Sequence, residues 1–221
     1  MNNLSKRLKE IANYIPDNVK MVDIGCDHAL LDIYLQKERK NIKIIASDVN
    51  ENALNQAKNN IKKYNLEKVI ETRLSNGLDN ISKDEIDTIV ISGMGAHTII
   101  GILHMNLKKL ENVNNIIVQS NNHIDFLRKK IVELNYCIES ETLVKDNGII
   151  YTIIAFKKGK KKYKKKELYF GPYLLKEKNH LFIEKNTLDL EKLNHLLNVV
   201  PKNHYLHRLK IKNKIKLYKN V

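Results

Sequence analysis

Apolar residues along the first 156 positions of this chain follow two alternating spacings. Short runs rich in isoleucine and valine predict buried strands at residues 19–24, 42–46, 69–74, 86–91 and 116–119. Apolar residues at helical spacing predict helices at residues 4–15, 29–38, 50–64, 98–107 and 124–134. Strands that alternate with helices predict an α/β fold, in which helices cover both faces of a parallel sheet.

The alternation stops after residue 134. Residues 136–144 and 149–156 are two consecutive strand patterns, and the Asn147-Gly148 pair between them is a hairpin signal. A parallel sheet followed by an antiparallel hairpin is similar to the class I S-adenosylmethionine-dependent methyltransferases, whereas dinucleotide dehydrogenases continue the parallel pattern. We therefore predict a Rossmann-like methyltransferase sheet over residues 1–156.

Residues 157–221 have a different pattern. Leucines recur at helical spacing before Pro201, and residues 205–218 fit either a strand or a helix. We predict a second helix there, because a helical hairpin buries the apolar stripes of both helices. The expected organisation is a methyltransferase domain at 1–156 and a small helical, coiled-coil-like domain at 157–221.

The composition fits a globular chain with a sizeable core, since 43% of its 221 residues are hydrophobic. No run approaches the roughly 18 apolar residues of a membrane span, and residues 1–13 lack an apolar signal core. The two cysteines, Cys26 and Cys137, are too few for a disulfide framework or a metal cage. We expect a cytoplasmic monomer without a metal and without membrane contact.

The net charge of +14 is not spread evenly along the chain. Residues 1–156 hold 20 basic and 20 acidic residues, whereas residues 157–221 hold 19 basic and 5 acidic ones. All of the excess positive charge therefore lies in the last third, which points to a polyanionic partner. The candidate contacts in the densest run are Lys161, Lys162, Lys164, Lys165 and Lys166.

Polar segments, most of them bearing glycine, follow the five predicted parallel strands. Such strands end at one edge of the sheet, and ligands bind beyond that edge, so these segments predict one site. The residues that we expect to bind a cofactor are Asp23, Gly25, Asp48, Val49, Asn76, Gly77, Gly93, Met94 and Gly95. The segment after the fifth strand adds Gln119 and Asn121 as candidate substrate-binding residues.

The first segment has one glycine, Gly25, rather than the three that a dinucleotide pyrophosphate requires. This favours S-adenosylmethionine, which has no phosphate, over NAD. Asp48, at the tip of the second strand, can accept hydrogen bonds from both ribose hydroxyls of an adenosine. The alternative is a helix cap, but the position and residue type of Asp48 favour ribose binding.

Four motifs carry a more specific resemblance: DIGCDHALL from Asp23, ISGMGA from Ile91, IVQSN from Ile117 and FGP from Phe170. In order and spacing they resemble the bacterial tRNA (adenine-22-N1)-methyltransferase family over nearly the whole chain. This sequence departs from the family pattern where Cys26 replaces Ser, Asp32 replaces Pro, Asn76 replaces Asp and Ala96 replaces Gly. The resemblance implies S-adenosylmethionine as the cofactor and N1 of adenine 22 in tRNA as the target.

Methylation at adenine N1 requires no general base, because N1 carries a lone pair and no proton. Alignment and tolerance of the positive charge on the product are sufficient. The Asn/Asp-Pro-Pro-aromatic loop common in N6 methylation is absent, and Gly93-Met94-Gly95 stands in its place.

Asp27 and His28 are the candidate catalytic residues. The Asp27 carboxylate could accept a hydrogen bond from the adenine amino group, or it could cap the helix that begins at residue 29. Both readings of Asp27 stay open, as do a structural and a catalytic reading of His28. Other functions that remain are methylation of another RNA or a small molecule, and a non-catalytic RNA-binding relic.

Overall fold

The computed structural model describes residues 4–38 and 41–221, and strands between residues 20 and 158 form a seven-stranded mixed sheet. Its strands are β1 (Lys20–Ile24), β2 (Lys43–Asp48), β3 (Ile70–Leu74), β4 (Thr88–Met94), β5 (Asn115–Ser120), β6 (Tyr136–Asp146) and β7 (Ile149–Lys158). They are ordered β3-β2-β1-β4-β5-β7-β6. Strands β1 to β5 are parallel, and β7 runs antiparallel to β5 and β6. The predicted parallel sheet and terminal hairpin are therefore confirmed.

Five helices alternate with these strands: α1 (Lys6–Tyr14), α2 (Leu30–Glu38), α3 (Glu51–Lys63), α4 (Ala96–Met105) and α5 (Ile124–Glu133). Ser5 and Asn50 cap α1 and α3, because each side chain accepts a hydrogen bond from a backbone N–H of the first turn. Helix α4 begins two residues earlier than predicted, directly after Gly95. A 3-10 turn at Lys109–Asn112 was not predicted from the sequence.

The core lies on both faces of the two central strands. Met21 and Val22 of β1 and residues 89–91 of β4 are completely buried, although consecutive side chains of a strand point to opposite faces. A strand that is buried on both faces reads as a continuous apolar run, which is why both strands were visible in the sequence.

Glu141 of β6 connects the sheet with the chain that follows it. Its carboxylate accepts hydrogen bonds from Arg128 of α5, with the two side chains 0% and 2% exposed. A Cβ atom at Gly171 would collide with this carboxylate, and Gly171 has φ of +99°, so only glycine fits. The FGP motif thus owes its glycine to a buried ion pair.

The segment between β7 and Gly171 packs on the sheet domain. The Tyr163 hydroxyl accepts a hydrogen bond from the backbone N–H of Ile138 (2.8 Å). Helix α6 (Lys165–Phe170) packs on α5, where Arg128 donates to the Tyr169 carbonyl at 3.1 Å. The chain therefore divides into units at 1–171 and 172–221, later than the boundary expected after Phe156.

The second unit contains α7 (Pro172–Glu177), α8 (His180–Val199) and α9 (Tyr205–Lys219). Helices α8 and α9 pack against each other, so residues 205–218 are helical as predicted. Arg208 closes the connection between them by donating to the Leu197 carbonyl (2.6 Å). Across both units, no helix of the described residues has the length and apolarity to cross a membrane.

Candidate active site

A cavity of about 470 Å³ opens at the carboxyl edge of the parallel strands, where the strand order reverses between β1 and β4. Its walls include every residue predicted to bind the cofactor except Gly95, and they include Asp27 and His28. The segments at the ends of β1 to β4 therefore meet at one cavity as expected, whereas Gln119 and Asn121 of the fifth segment do not line it. Gly95 instead lies at the start of α4, packed near the Asn122 amide.

The turn after β1 requires glycine for two reasons. Gly25 has φ of +76°, and a Cβ atom there would collide with the terminal methyl group of Met94. The backbone N–H groups of Gly25 and Cys26 both donate to the Ser47 carbonyl, at 2.8 and 3.0 Å. The turn is thus tied to β2, and the Met94 side chain can lie directly above it.

The carboxylate of Asp48 joins the turns after β1 and β2. One oxygen accepts from the Asp27 N–H (3.2 Å), and the other accepts from the Asn50 N–H (2.8 Å). Asn50, not Asp48, caps α3. Each carboxylate oxygen keeps a free lone pair at the cavity wall, which is what a pair of ribose hydroxyls requires.

Asp27 and His28 form an exposed pair on the cavity wall. The Asp27 carboxylate lies 3.7 Å from Nε2 of His28, and the two side chains are 71% and 46% exposed. Asp27 has φ of +49°, and its neighbour Ala29 has φ of +53°. Among the described residues, no backbone N–H of α2 donates to the Asp27 carboxylate, so this geometry does not support the helix-cap reading.

The wall at the end of β3 combines an amide with an apolar surface. Asn76 is exposed and donates to the Asp79 carboxylate (3.3 Å). Gly77 has φ of +60° and packs under Ile102, whose side chain a Cβ atom would meet at 2.8 Å. The Val49 side chain is 67% exposed on the same cavity. This wall suits a flat, partly polar heterocycle.

Gln119 holds the backbone of Gly93, near the end of β4, in place. It is completely buried, and its Oε1 atom accepts from the Gly93 N–H (3.1 Å) and from the guanidinium of Arg7 (2.6 Å). Its Nε2 atom donates to Asn121, whose own amide donates to the Gly93 carbonyl. The structure thus uses the buried Gln119 side chain to hold the backbone of Gly93, and a direct contact of Gln119 with the substrate stays a prediction.

Arg7 is a site residue that the sequence reading missed. Helix α1 brings it to the cavity wall beside Gly93, and its guanidinium lies 5.2 Å from the centre of the Tyr151 ring. No local motif marks it, since Arg7 precedes its partner Gln119 by 112 positions. It adds a cation to a cavity whose other charged residues are acidic.

Three carboxylates crowd the base of the first turn. Burial raises the pKa of Asp23 to about 7, and the nearby Asp48 adds to the rise. Asp32, in the first turn of α2, is 0% exposed, and burial followed by the charge of Asp23 raises its pKa well above the usual range. Neither Asp32 oxygen has a hydrogen-bond partner among the described residues.

The lysines predicted to bind tRNA leave the sheet at the opposite edge. The end of β7 pairs with the beginning of β5, so the chain enters residues 159–166 beside the amino ends of the parallel strands. Lys161, Lys162, Lys164 and Lys165 are exposed, and Lys166 is half-buried. The cavity and the lysine run therefore face different edges of the sheet.

No group of three or more histidine, cysteine or acidic side chains in residues 4–38 and 41–221 is arranged to hold a metal ion.

A sequence model described as tRNA (adenine(22)-N(1))-methyltransferase matches residues 21–220 of the chain. The chain is also 33% identical over 194 residues to a tRNA (adenine(22)-N(1))-methyltransferase of Bacillus subtilis, covering 85% of this chain and 82% of that protein.

Two solved structures are closely similar. A Streptococcus pneumoniae protein in complex with S-adenosyl-L-methionine has a TM-score of 0.91 and 32% identity, covering 99% of both chains. An M. capricolum protein in complex with S-adenosyl-homocysteine has a TM-score of 0.89 and 33% identity, covering 98% of this chain and 96% of that one.

The buried Asp32 should make the stability of this protein depend on pH. Because its folded-state pKa is raised, the native state holds a proton that the unfolded state releases above pH about 4. The free energy of unfolding should therefore fall as pH rises from 4 toward the raised pKa, by up to about 1.4 kcal/mol per pH unit. Urea unfolding of Asp32→Asn should show a shallower fall from pH 5 to pH 8.

The matched control is Glu51→Gln, which removes an exposed carboxylate from the first turn of α3. It should leave the wild-type slope unchanged. An Asp32→Asn slope equal to that of wild type would show that Asp32 does not carry the effect.

Proposed function

The chain belongs to the tRNA (adenine(22)-N(1))-methyltransferase family, and we propose that its carboxyl-edge cavity is where the methyl group is transferred. The enzyme uses S-adenosylmethionine to methylate N1 of adenine in tRNA, at position 22 according to the family. One observation carries the assignment of the site: the Gly25 turn, the Asp48 carboxylate and the Gly93–Met94 loop line one cavity.

The cavity fits the cofactor in size and in charge. A volume of about 470 Å³ lies in the usual range for small-ligand sites. Asp48 would hold the ribose hydroxyls, Val49 and Asn76 would contact the adenine, and the Gly25 turn with Asp23 would hold the amino-acid end. The bound cofactor supplies an electrophilic methyl group on a sulfonium, and an acidic wall favours that cation.

Orientation is the main catalytic contribution that we assign to the end of β4. Three backbone atoms there are hydrogen-bonded to β5 and the segment after it: Gly93 N, Gly93 O and Met94 O. A backbone fixed in this way can hold the target adenine in line with the methyl group, and alignment alone can lower a barrier substantially. The lone pair of N1 then attacks without a proton transfer.

Asp27 is the catalytic residue that we propose for charge stabilisation. Its exposed carboxylate can accept a hydrogen bond from the adenine amino group, which becomes a better donor as the ring gains positive charge. His28, 3.7 Å away, is placed to orient this carboxylate. The target base must leave its stack in the tRNA to reach the cavity.

The basic segment is proposed to bind the tRNA backbone. Residues 157–171 carry eight lysines and one glutamate, and residues 172–221 carry eleven basic and four acidic residues. Each part therefore has a net charge of +7, and the phosphates are the natural partner. We also propose that the protein acts as a monomer in the cytoplasm, where it meets its tRNA substrate.

Transfer of labelled methyl groups to tRNA tests the function. The wild-type protein should label tRNA that lacks the modification, but not ribosomal RNA or an RNA-free sample, and nuclease mapping should place the label at adenine 22. Asp48→Ala should weaken cofactor binding by about tenfold or more, because it removes charge-assisted hydrogen bonds worth roughly 1.5–3 kcal/mol.

Calorimetric titration gives the cofactor dissociation constant independently of turnover. Glu51→Gln, at an exposed carboxylate near Asp48 in the chain, is the matched control. Absence of label in every RNA would refute the methyltransferase function, whereas an unchanged dissociation constant in Asp48→Ala would refute only the ribose contact.

Asp27→Asn separates the chemical step from cofactor binding. The amide keeps the shape of the side chain but loses the charge that stabilises the cationic base. We expect single-turnover rates with saturating tRNA to fall by about tenfold or more, with the cofactor dissociation constant changed less than twofold. Equal rates in the folded variant would leave Asp27 without a catalytic role.

Salt dependence tests the lysine run. Replacement of Lys161, Lys162, Lys164 and Lys165 by glutamine should weaken tRNA binding and reduce the slope of log affinity against log salt, by about 0.7–0.9 for each lost contact. The control replaces the exposed Lys58, Lys62 and Lys63 of α3. If both sets changed the slope equally, the positive charge of the run would have no specific role.

A further inference from the structure

Three aromatic side chains form a cluster beside the cavity. The proposed methyl transfer does not involve this cluster. The His97 ring lies 4.5 Å from the Phe126 ring with an interplanar angle of 35°, and 5.6 Å from the His123 ring in an edge arrangement. Both histidines are exposed, and Phe126 is half-buried. The cluster therefore has an anchored base and two imidazole rings at the surface. We call it the aromatic platform.

The platform joins the beginning of α4 to the beginning of α5. His97 is the second residue of α4, immediately after the loop that ends at Gly95, and His123 directly precedes α5. The Asn122 side chain accepts a hydrogen bond from the Ala96 N–H at 3.1 Å, which clamps the start of α4 to the segment after β5. The two histidines are thus held at a fixed separation by a contact between their chain neighbours.

The backbone at His123 is left-handed, a region in which histidine is one of the enriched non-glycine residues. It has φ of +47° and ψ of +47°, and as the residue before α5 it makes no side-chain capping hydrogen bond. The ring instead lies exposed against the His97 ring. The His123 side chain is therefore not used to cap α5 and is available for contact with a ligand.

The platform lies at the rim of the cavity and not inside it. Thr98 lines the cavity, whereas neither His97 nor His123 does. A base inside the cavity would contact Met94 and Asp27, and the nucleotide next to it in the RNA would lie at the rim. Unpaired bases stack on histidine and phenylalanine rings, and such stacking offsets the loss of stacking when a target base is extruded.

We propose that His97, His123 and Phe126 form a stacking platform for a nucleobase that flanks the target adenine. This inference rests on the proposed function, because it assigns a second contact to the same RNA. Phe126 packs against one face of the His97 ring, and we assign the stacking of the nucleobase to the other face. His123 contacts the edge of the platform. All three are positioning residues for the RNA, and none of them lines the cavity.

The test measures the direct tRNA dissociation constant, the KM and kcat for tRNA, and the cofactor dissociation constant. His97→Ala and His123→Ala should each weaken tRNA binding and raise KM by about tenfold, with the cofactor dissociation constant unchanged. His97→Phe should restore binding, because it keeps a flat ring. His104→Ala, at an exposed histidine of the same helix, should behave as wild type.

A modified RNA identifies the stacked base. A tRNA with an abasic site immediately before or after the target adenine should bind wild type about tenfold more weakly, and it should bind His97→Ala no more weakly than intact tRNA does. The proposal would be overturned if the losses of affinity from the abasic site and from His97→Ala were additive. It would also be overturned if His97→Phe lost as much tRNA affinity as His97→Ala. If wild type methylated tRNA while both alanine variants matched it in KM, the platform would be refuted and the function would stand. If wild type transferred no methyl group, the function itself would fail.

Discussion

Parallel pairing of β1 to β5 makes all five strands end at one edge of the sheet, and the site depends on this constraint. Because β2 and β4 lie on opposite sides of β1, the helices that follow them cover opposite faces, and a cavity opens between the loops. Asp48 accepts a hydrogen bond from the turn after β1, and Gln119 accepts one from Gly93 at the end of β4. Both accept from backbone N–H groups with buried or half-buried polar atoms, so they fix the backbone that lines the cavity.

The buried carboxylates at the base of the first turn make folding less favourable. Burial raises the pKa of both Asp23 and Asp32, with a further rise from the charge of Asp48 at Asp23 and from the charge of Asp23 at Asp32. Asp32 has no hydrogen-bond partner among the described residues. Such a group is unfavourable for folding. On the proposed assignment, a cationic cofactor in the cavity would offset part of this cost, because it would stabilise negative charge at Asp23 nearby. Asp32 stands where the family pattern has proline, so this chain carries an additional acidic group behind the cofactor turn.

Recognition of the RNA is distributed over separate surfaces. The target adenine is proposed to enter the carboxyl-edge cavity, the flanking base to meet the aromatic platform, and the backbone to meet lysines that leave the sheet at its other edge. The Arg128–Glu141 pair, with Gly171 against it, fixes the end of the lysine segment to β6. Because phosphate contacts add affinity and base contacts add selectivity, substitutions on these surfaces should affect different kinetic constants.

The strand and helix pattern, the terminal hairpin and the cofactor segments were visible in the sequence, because each depends on neighbouring residues or on a short repeat. Gly25, Asp48 and Gly93 could be identified because a turn or a strand end leaves a local signal. The tertiary structure alone decided that Arg7 reaches Gln119, that Gln119 is buried under the Gly93 loop, and that Asn50 rather than Asp48 caps α3. It also decided that the sheet domain extends to Gly171, and that His97, His123 and Phe126 meet. These features depend on contacts between segments far apart in the chain, which periodicity and spacing do not encode.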